Sequence, residues 1–363
     1  MAGTLGTVRF AASVVAFALA ATACGDGGAD GGGDAANGGE LSALVWCDHT
    51  DPELLRPFEE EHGVRVNVRD YEGTGVALGI LEQSQPGDWD VFVIDSVDVP
   101  RVAEAGLLAE LDRDDFPWED FFEAVRMPDI HELDGTLYAV PEKFGYNTIA
   151  FDGDAVDESV VEDLSALWDP ELEGRIAIYD YYIPVMELVA LELGIEPDQI
   201  TMDDLPAIEE RLLELREQSA LTGDVVQVQT ALATGEVDVI VGGGEYVTSV
   251  LNEENPELDW ILPEQGGIRW QQAIGVLADS EQQDLATEFV RYIVSEEGQA
   301  RLATSSCYWG MPANSQAALS DEEKDILRWD QQDDYIANSY PYYIPDEELD
   351  AAMLDVWTRF LQS

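Results

Sequence analysis

Basic residues are scarce in this chain. Lysine and arginine together number 17 of 363 residues, against 76 aspartates and glutamates, and the formal net charge is −59. Nucleic acids and anionic lipid surfaces need a basic face, so neither is a partner. Histidine is almost absent as well. His49, His62 and His131 are the three, and no two are spaced to share a metal on one helix. No HExxH, CxxC, GxSxG or phosphate-cradling glycine loop occurs. The glycines of "GGGEY" (242–246) lack the Lys-Ser/Thr of a phosphate loop and are read instead as room for close backbone approach. These absences mark no catalytic class and no cofactor, and the expectation is a protein that is not an enzyme. What is abundant is carboxylate, so any single Asp or Glu is read first as surface solvation. Such a surface also suits a protein adapted to high salt, where screening makes self-repulsion tolerable.

Long apolar runs are missing too, apart from the N-terminus. In residues 1–24, "MAGTLGTVRFAASVVAFALAATAC", Arg9 precedes the run Phe10 to Ala21, too short to cross a membrane. Small residues then lead to Cys24, the pattern of a secretion signal. The "ATAC" ending resembles a bacterial lipobox, which implies lipidation at Cys24; a plainly cleaved signal is the alternative. Residues 25–40 are a Gly/Asp/Ala stretch with nothing to bury, expected to be a flexible tether. The protein is therefore expected outside the cytoplasm, periplasmic or on the outer face of the cytoplasmic membrane, held by a lipid anchor only. Two further cysteines remain, Cys47 and Cys307. In an exported chain they are a disulfide candidate, with two buried thiols as the other reading.

From Leu41 onward the pattern is β-α-β-α. "LSALVW", "VRVNVRD" and "DVFVID" read as strands, "DPELLRPFEEEHG" as a helix with Asp51 at the N-cap, Pro52 at N1 and Gly63 as the stop, and "VPRVAEAGLLAELD" as a second helix. A second βα series starts near "NTIAFD" and ends in "QQDLATEFVRYIVSEEGQARLA", read as one helix. This rhythm predicts parallel sheets covered by helices, with ligands at the carboxyl ends of the strands. Chain crossings near 147 and 271 predict two α/β lobes on a hinge, 41–146 with 271–316 and 147–270 with 317–363.

Several stretches in order resemble one family, the spermidine/putrescine-binding proteins of ATP-driven importers. They are "LVWCDHTDPELLRPFEEEHGVRVNV", "DGTLYAVPEKFGYNTIAFD", "DLSALWDPELEGRIAI", "PEQGGIRWQQAIGV" and "EFVRYIVSEEGQARLA", spread over 41–363. The resemblance implies the type II periplasmic-binding-protein-like fold, an α/β architecture of two parallel or mixed sheets with a two-crossing hinge. It also implies capture of a small cationic ligand, a membrane permease and an ATPase as partners, and a monomer. Such proteins lay amine chains on aromatic rings and pair ammoniums with carboxylates. The aromatic ending the first strand corresponds to Trp46 and that of the second crossing to Trp270. Where the family places acids, this chain has Gln272, Tyr181 and Pro184.

Acids and rings in other strand-end loops are expected to compensate. Asp48, Asp95 and Glu245 would supply charge, and Tyr181, Tyr182 and Tyr246 would supply aromatic faces. The tetrapeptide "YYIP" occurs in "YDYYIP" (179–184) and again in "SYPYYIP" (339–345). The first copy is expected at the cleft, and the second on the outside or at the hinge, the doubling being chance. A ferric-ion-binding alternative uses His49, Asp95, Glu245 and Tyr246, oxygen donors plus one imidazole.

Overall fold

The computed structural model describes residues 39–71 and 73–363. The signal segment, Cys24 and nearly all of the tether lie outside the described residues. Glu40, assigned to the tether from sequence, already opens the first strand, Glu40–Val45. Helix Pro52–His62 follows: the Asp51 side chain accepts from the Glu53 amide, and Gly63, at φ 63°, returns its N–H to the Glu59 carbonyl. Leu54, Leu55 and Phe58 on one face are buried, each stabilising by about 1.5–3 kcal/mol. Strands Arg65–Asp70 and Val91–Asp95 pair in parallel on either side of the first.

Two expected helices are shorter than their sequence pattern. The one after the third strand stops at Glu104, because Gly106 turns left-handed at φ 72° and Leu108 and Leu111 bridge to Leu277 and Leu137. The long late helix is two, Gln283–Ile293 and Glu296–Ala303. Ser295 caps the second by accepting from the Gly298 amide. A Cβ on Gly298 would lie 2.0 Å from the Tyr292 carbonyl oxygen, so the tight junction depends on that glycine.

The second series supplies strand Ile176–Tyr179, helix Tyr182–Glu192, helix Leu205–Gln218, and strands Ser219–Gly223 and Val239–Gly243. The two crossings are strands. Val140–Asp152 is 13 residues long. Its first half pairs antiparallel with Ile268–Val276, and its last residues pair with Val239–Gly243. The two sheet halves thus share one long strand and form a continuous ladder. Each half has its own apolar core. Leu41, Phe58, Val93 and Phe289 belong to one, and Ile176, Met186, Leu212 and Trp357 to the other. Along the tail, Leu319, Leu327 and Tyr335 pack with the first core, whereas helix Glu347–Gln362 buries Leu349, Met353 and Phe360 in the second. Between them, Tyr340–Pro341 adds a short parallel strand to Ile268–Arg269. Among the described residues no helix is long and apolar enough to cross a membrane.

Candidate functional site

The first strand ends at Val45, and after Trp46 the chain turns through Cys47–Thr50 as a short 3-10 helix. Cys47 is bridged to Cys307 with Cα atoms 6.0 Å apart, a normal disulfide separation, so the pairing reading holds over the free thiols.

Asp48 and His49, expected to face a ligand, are instead sealed beneath this loop. Both are fully buried. His49 Nδ1 lies 2.8 Å from Asp48 Oδ1 and its Nε2 lies 3.1 Å from Glu142 Oε2. Lys143 Nζ donates to Asp48 Oδ2 at 3.0 Å and to the Tyr308 carbonyl at 2.9 Å, and sits 4.1 Å from the Tyr308 ring centre. Burial alone would raise the Asp48 carboxyl, but Lys143 and His49 outweigh it and hold it well below its usual range. Burial opposes charge on His49 as well, yet Glu142 and Asp48 push it up to about 10. The cluster is internally paired, as buried charge must be. Its partners stand about 95 residues along the chain, which is why adjacency in sequence did not reveal them.

Glu245 is also fully buried. Both its oxygens accept from the Tyr146 amide, at 3.2 and 3.1 Å. Burial pushes its carboxyl up to about 8, with that amide and Lys143 opposing. It therefore offers a held, mostly protonated acid rather than the expected free charge. Gly145 makes room: a Cβ there would fall 1.7 Å from Glu245 Oε1 and 2.4 Å from Trp270 Cζ2.

Of the expected residues, Asp95, Tyr181 and Trp270 converge on one narrow cavity of about 40 Å³. Gln271, Tyr342 and Arg269 line it too; Tyr342 was noted only within the second "YYIP" copy, and the other two were not singled out from sequence. Asp95 ends the third strand and stands opposite Gln272 in the ladder. Burial, with Asp98 adding repulsion and the Thr74 hydroxyl opposing, pushes its carboxyl up to about 7. Tyr181 and Tyr342 stack with ring centres 6.1 Å apart and planes inclined by 25°. These are the first tyrosines of the two "YYIP" copies. The second copy is brought beside the crossing by the Tyr340–Pro341 strand, so it faces the cavity and the two copies meet. The two copies therefore touch beside the crossing strand, at one of the two places expected for the second.

The other expected residues are elsewhere. Tyr182 donates to Asp350 Oδ1 at 2.5 Å and packs with the second core. Tyr246 donates its hydroxyl to Asn147 Oδ1 at 3.2 Å and to the Gly242 carbonyl. Trp46 rests on Tyr71, ring centres 5.2 Å apart, and its buried Nε1 has no partner in the protein. Gln272 donates to the Tyr308 hydroxyl at 2.6 Å and leaves Oε1 unpartnered. Tyr308 also meets the Trp270 ring edge-on at 6.1 Å. Its signal was available, since it follows Cys307 directly. So was that of Glu187, a lone acid inside the apolar helix "YIPVMELVALE": it is 1 % exposed, neither oxygen has a partner, and burial raises its carboxyl well above the usual range.

The ferric alternative is overturned by this geometry. Both His49 nitrogens are engaged by carboxylates and Glu245 is spent on backbone, so the four proposed ligands do not converge. Among the described residues no group of three or more His, Cys, Asp or Glu could hold a metal ion.

A two-halved α/β fold, a cavity at the strand ends beside two crossing strands, and aromatic walls define a solute-binding protein. The chain belongs to the bacterial extracellular solute-binding protein family, which matches residues 53–327. This is a transport family and not an enzyme family. Its relatives include the putrescine/agmatine-binding protein of Pseudomonas aeruginosa, 29% identical over 290 residues, 76% of this chain and 78% of that one. The spermidine/putrescine-binding periplasmic protein 1 of Haemophilus influenzae is 23% identical over 92% of this chain and 96% of its own. Among solved structures, the spermidine/putrescine transporter substrate-binding protein of Streptococcus pneumoniae superposes with a TM-score of 0.77 at 20% identity. It covers 89% of this chain and 99% of that one, and the shared fold is the two-lobed type II architecture.

Proposed function

We propose that this protein is the exported receptor of an ABC importer, closing two lobes over a putrescine- or spermidine-like amine and delivering it to a membrane permease driven by an ATPase. The observation that carries the reading is Asp95: a carboxyl at an aromatic cavity, raised by burial and a neighbouring acid, with no lysine or arginine paired to it. A ligand ammonium supplies the missing countercharge, and the Tyr181, Tyr342 and Trp270 faces suit the methylenes and the cation. The lobes are 41–146 with 271–316 and 147–270 with 317–363, the segment 317–337 riding on the first core, and the crossing strands act as the hinge. The chain works as a monomer, lipidated at Cys24 and tethered by residues 25–39. Calorimetric titration in high salt with putrescine, spermidine, agmatine and a betaine tests this. Micromolar or tighter binding of an amine, near −8 kcal/mol, is expected; binding only to sugars or anions would overturn the amine reading.

A further inference from the structure

We propose that Gln271 reads the ligand: its side-chain oxygen, fixed in place by His131, accepts an N–H from the bound solute, so the cavity selects a primary ammonium over a fully methylated one. The inference rests on the receptor reading above and adds a residue and a selectivity to it.

The hydrogen bonds around His131 determine the orientation. His131 is fully buried and its Nδ1 lies 2.8 Å from the Arg126 carbonyl oxygen. A carbonyl only accepts, so Nδ1 carries the proton and the neutral ring presents a lone pair at Nε2. Burial holds the ring's pKa down at about 4, which keeps it neutral at ordinary pH. Two donors converge on that lone pair, the Ser96 hydroxyl at 3.1 Å and the Gln271 amide nitrogen at 3.4 Å. The same amide nitrogen donates to the Val125 carbonyl at 2.8 Å. Both amide hydrogens of Gln271 are thereby used. Turning the amide over would set Oε1 against two acceptors, so the orientation is fixed by chemistry rather than by choice of labels.

What remains is Oε1. Gln271 is 8 % exposed and this atom has no partner in the protein, an unfavourable state until a donor arrives. Gln271 and Ser96 line the same cavity as Asp95. With its hydrogen given to His131, the Ser96 oxygen is left as an acceptor, so these three residues, once Asp95 is ionised, present acceptors and no donor. Arg269, the cation among the lining residues, turns its guanidinium to the Ile336 carbonyl at 3.1 Å and Ser339 Oγ at 2.9 Å. An ammonium carrying three N–H groups satisfies such a wall; a trimethylammonium satisfies only its charge.

The test compares putrescine with its hexamethylated analogue, by calorimetry on the full chain and on the Gln271→Met and Ser96→Ala variants, with melting curves as the folding control. The parent should prefer putrescine by at least tenfold. Gln271→Met should lose about tenfold for putrescine and little for the methylated compound, and Ser96→Ala a few-fold in the same sense. His131→Leu, which removes the acceptor shared by Gln271 and Ser96 and the donor to the Arg126 carbonyl, should shrink the same preference if its melting curve shows it folded. Equal binding of the two amines by the parent, measured without any variant, overturns the proposal. So does a folded Gln271→Met that keeps the parent's affinity and preference. If the parent binds neither amine, the receptor reading has failed and this inference falls with it.

Discussion

The titration of Asp95 should be readable in ligand binding. In the empty cavity burial and Asp98 push its carboxyl up to about 7, whereas a bound ammonium would draw it back toward ordinary carboxylate values. A group of pKa about 7 is only about 1% ionised at pH 5, about 9% at pH 6 and about 90% at pH 8. Because the cation binds the ionised form, each ligand should expel close to one proton at pH 6 and almost none at pH 8.5. Apparent affinity should fall about tenfold, ~1.4 kcal/mol, for each pH unit below 7. Calorimetry in pairs of buffers with different ionisation enthalpies gives the proton count directly. Asp95→Asn should bind more weakly and with a flat profile between pH 5 and 8. A flat profile in the parent, or proton uptake on binding, would refute the assignment. The sign also reaches stability. Raised folded-state values mean that Asp95 and Glu245, the latter at about 8, contribute fully only below their unfolded values. That contribution is lost progressively from about pH 4, where the unfolded carboxyls ionise, and is gone above about 7 and 8. The melting temperature of the ligand-free protein should therefore fall across that window, and saturating amine should restore the Asp95 share.

Reducing the Cys47–Cys307 bridge releases a crosslink spanning 260 positions. It should cost about 2–5 kcal/mol in denaturant unfolding and also weaken amine binding, since Tyr308 supports Trp270; an unchanged Kd after full reduction would show that the bridge does not set the wall. Gly145→Ala places a Cβ inside Glu245 and the Trp270 ring; a loss of about 3 kcal/mol or more is expected, and an unshifted melting curve would contradict the packing. Tyr342→Ala should weaken amine binding by about 0.5–2 kcal/mol while Tyr342→Phe keeps most of it; equal loss in both would assign the contribution to the hydroxyl instead of the ring.

The periodic parts of the fold were legible in the sequence, and the contacts across it were not. Asp51, Pro52 and Gly63 marked a helix by local chemistry alone, and that helix forms with those caps. The late helix read as one element because its apolar spacing continues through the break. Only the Ser295 side chain competing for the Gly298 amide reveals the interruption. Trp270, inside strand Ile268–Val276, was named by the family resemblance, whereas Asp95 and Tyr181 were proposed from strand-end position, a local property. Asp48 and His49 share that position, yet their side chains turn inward to Glu142 and Lys143, a choice made by residues on the crossing strand. Tyr342 was not read as a cavity residue for the same reason: the Tyr340–Pro341 pairing that carries it there is a two-residue strand with no periodic signal. Gln271 has none either, and only the bonding of both its amide hydrogens to one side makes its oxygen significant.

Net charge is a poor guide to this cavity. Although the chain carries −59, the acids nearest the hinge contribute little free charge. Asp48 is cancelled by Lys143 and His49, and burial raises the Glu187 carboxyl well above its usual range and that of Glu245 to about 8. Asp95, the acid that lines the cavity, ionises near neutrality. Attraction by the surface carboxylates is screened beyond about 8 Å at physiological ionic strength and over still shorter distances in concentrated salt. Selectivity in such a medium has to come from groups that salt does not reach. A buried carboxyl, a stacked tyrosine pair and amide oxygens are of that kind, because they act at contact distance behind excluded water. The expected consequence is opposite salt responses for two kinds of substitution. Removing exposed acids such as Glu60 and Glu61 should slow amine capture at low salt and do nothing at high salt, whereas Asp95→Asn should weaken binding at both. Stopped-flow fluorescence of Trp270 quenching at about 0.05 and 2 M salt separates them, and a loss of the Asp95→Asn effect at high salt would place Asp95 among the screened surface charges.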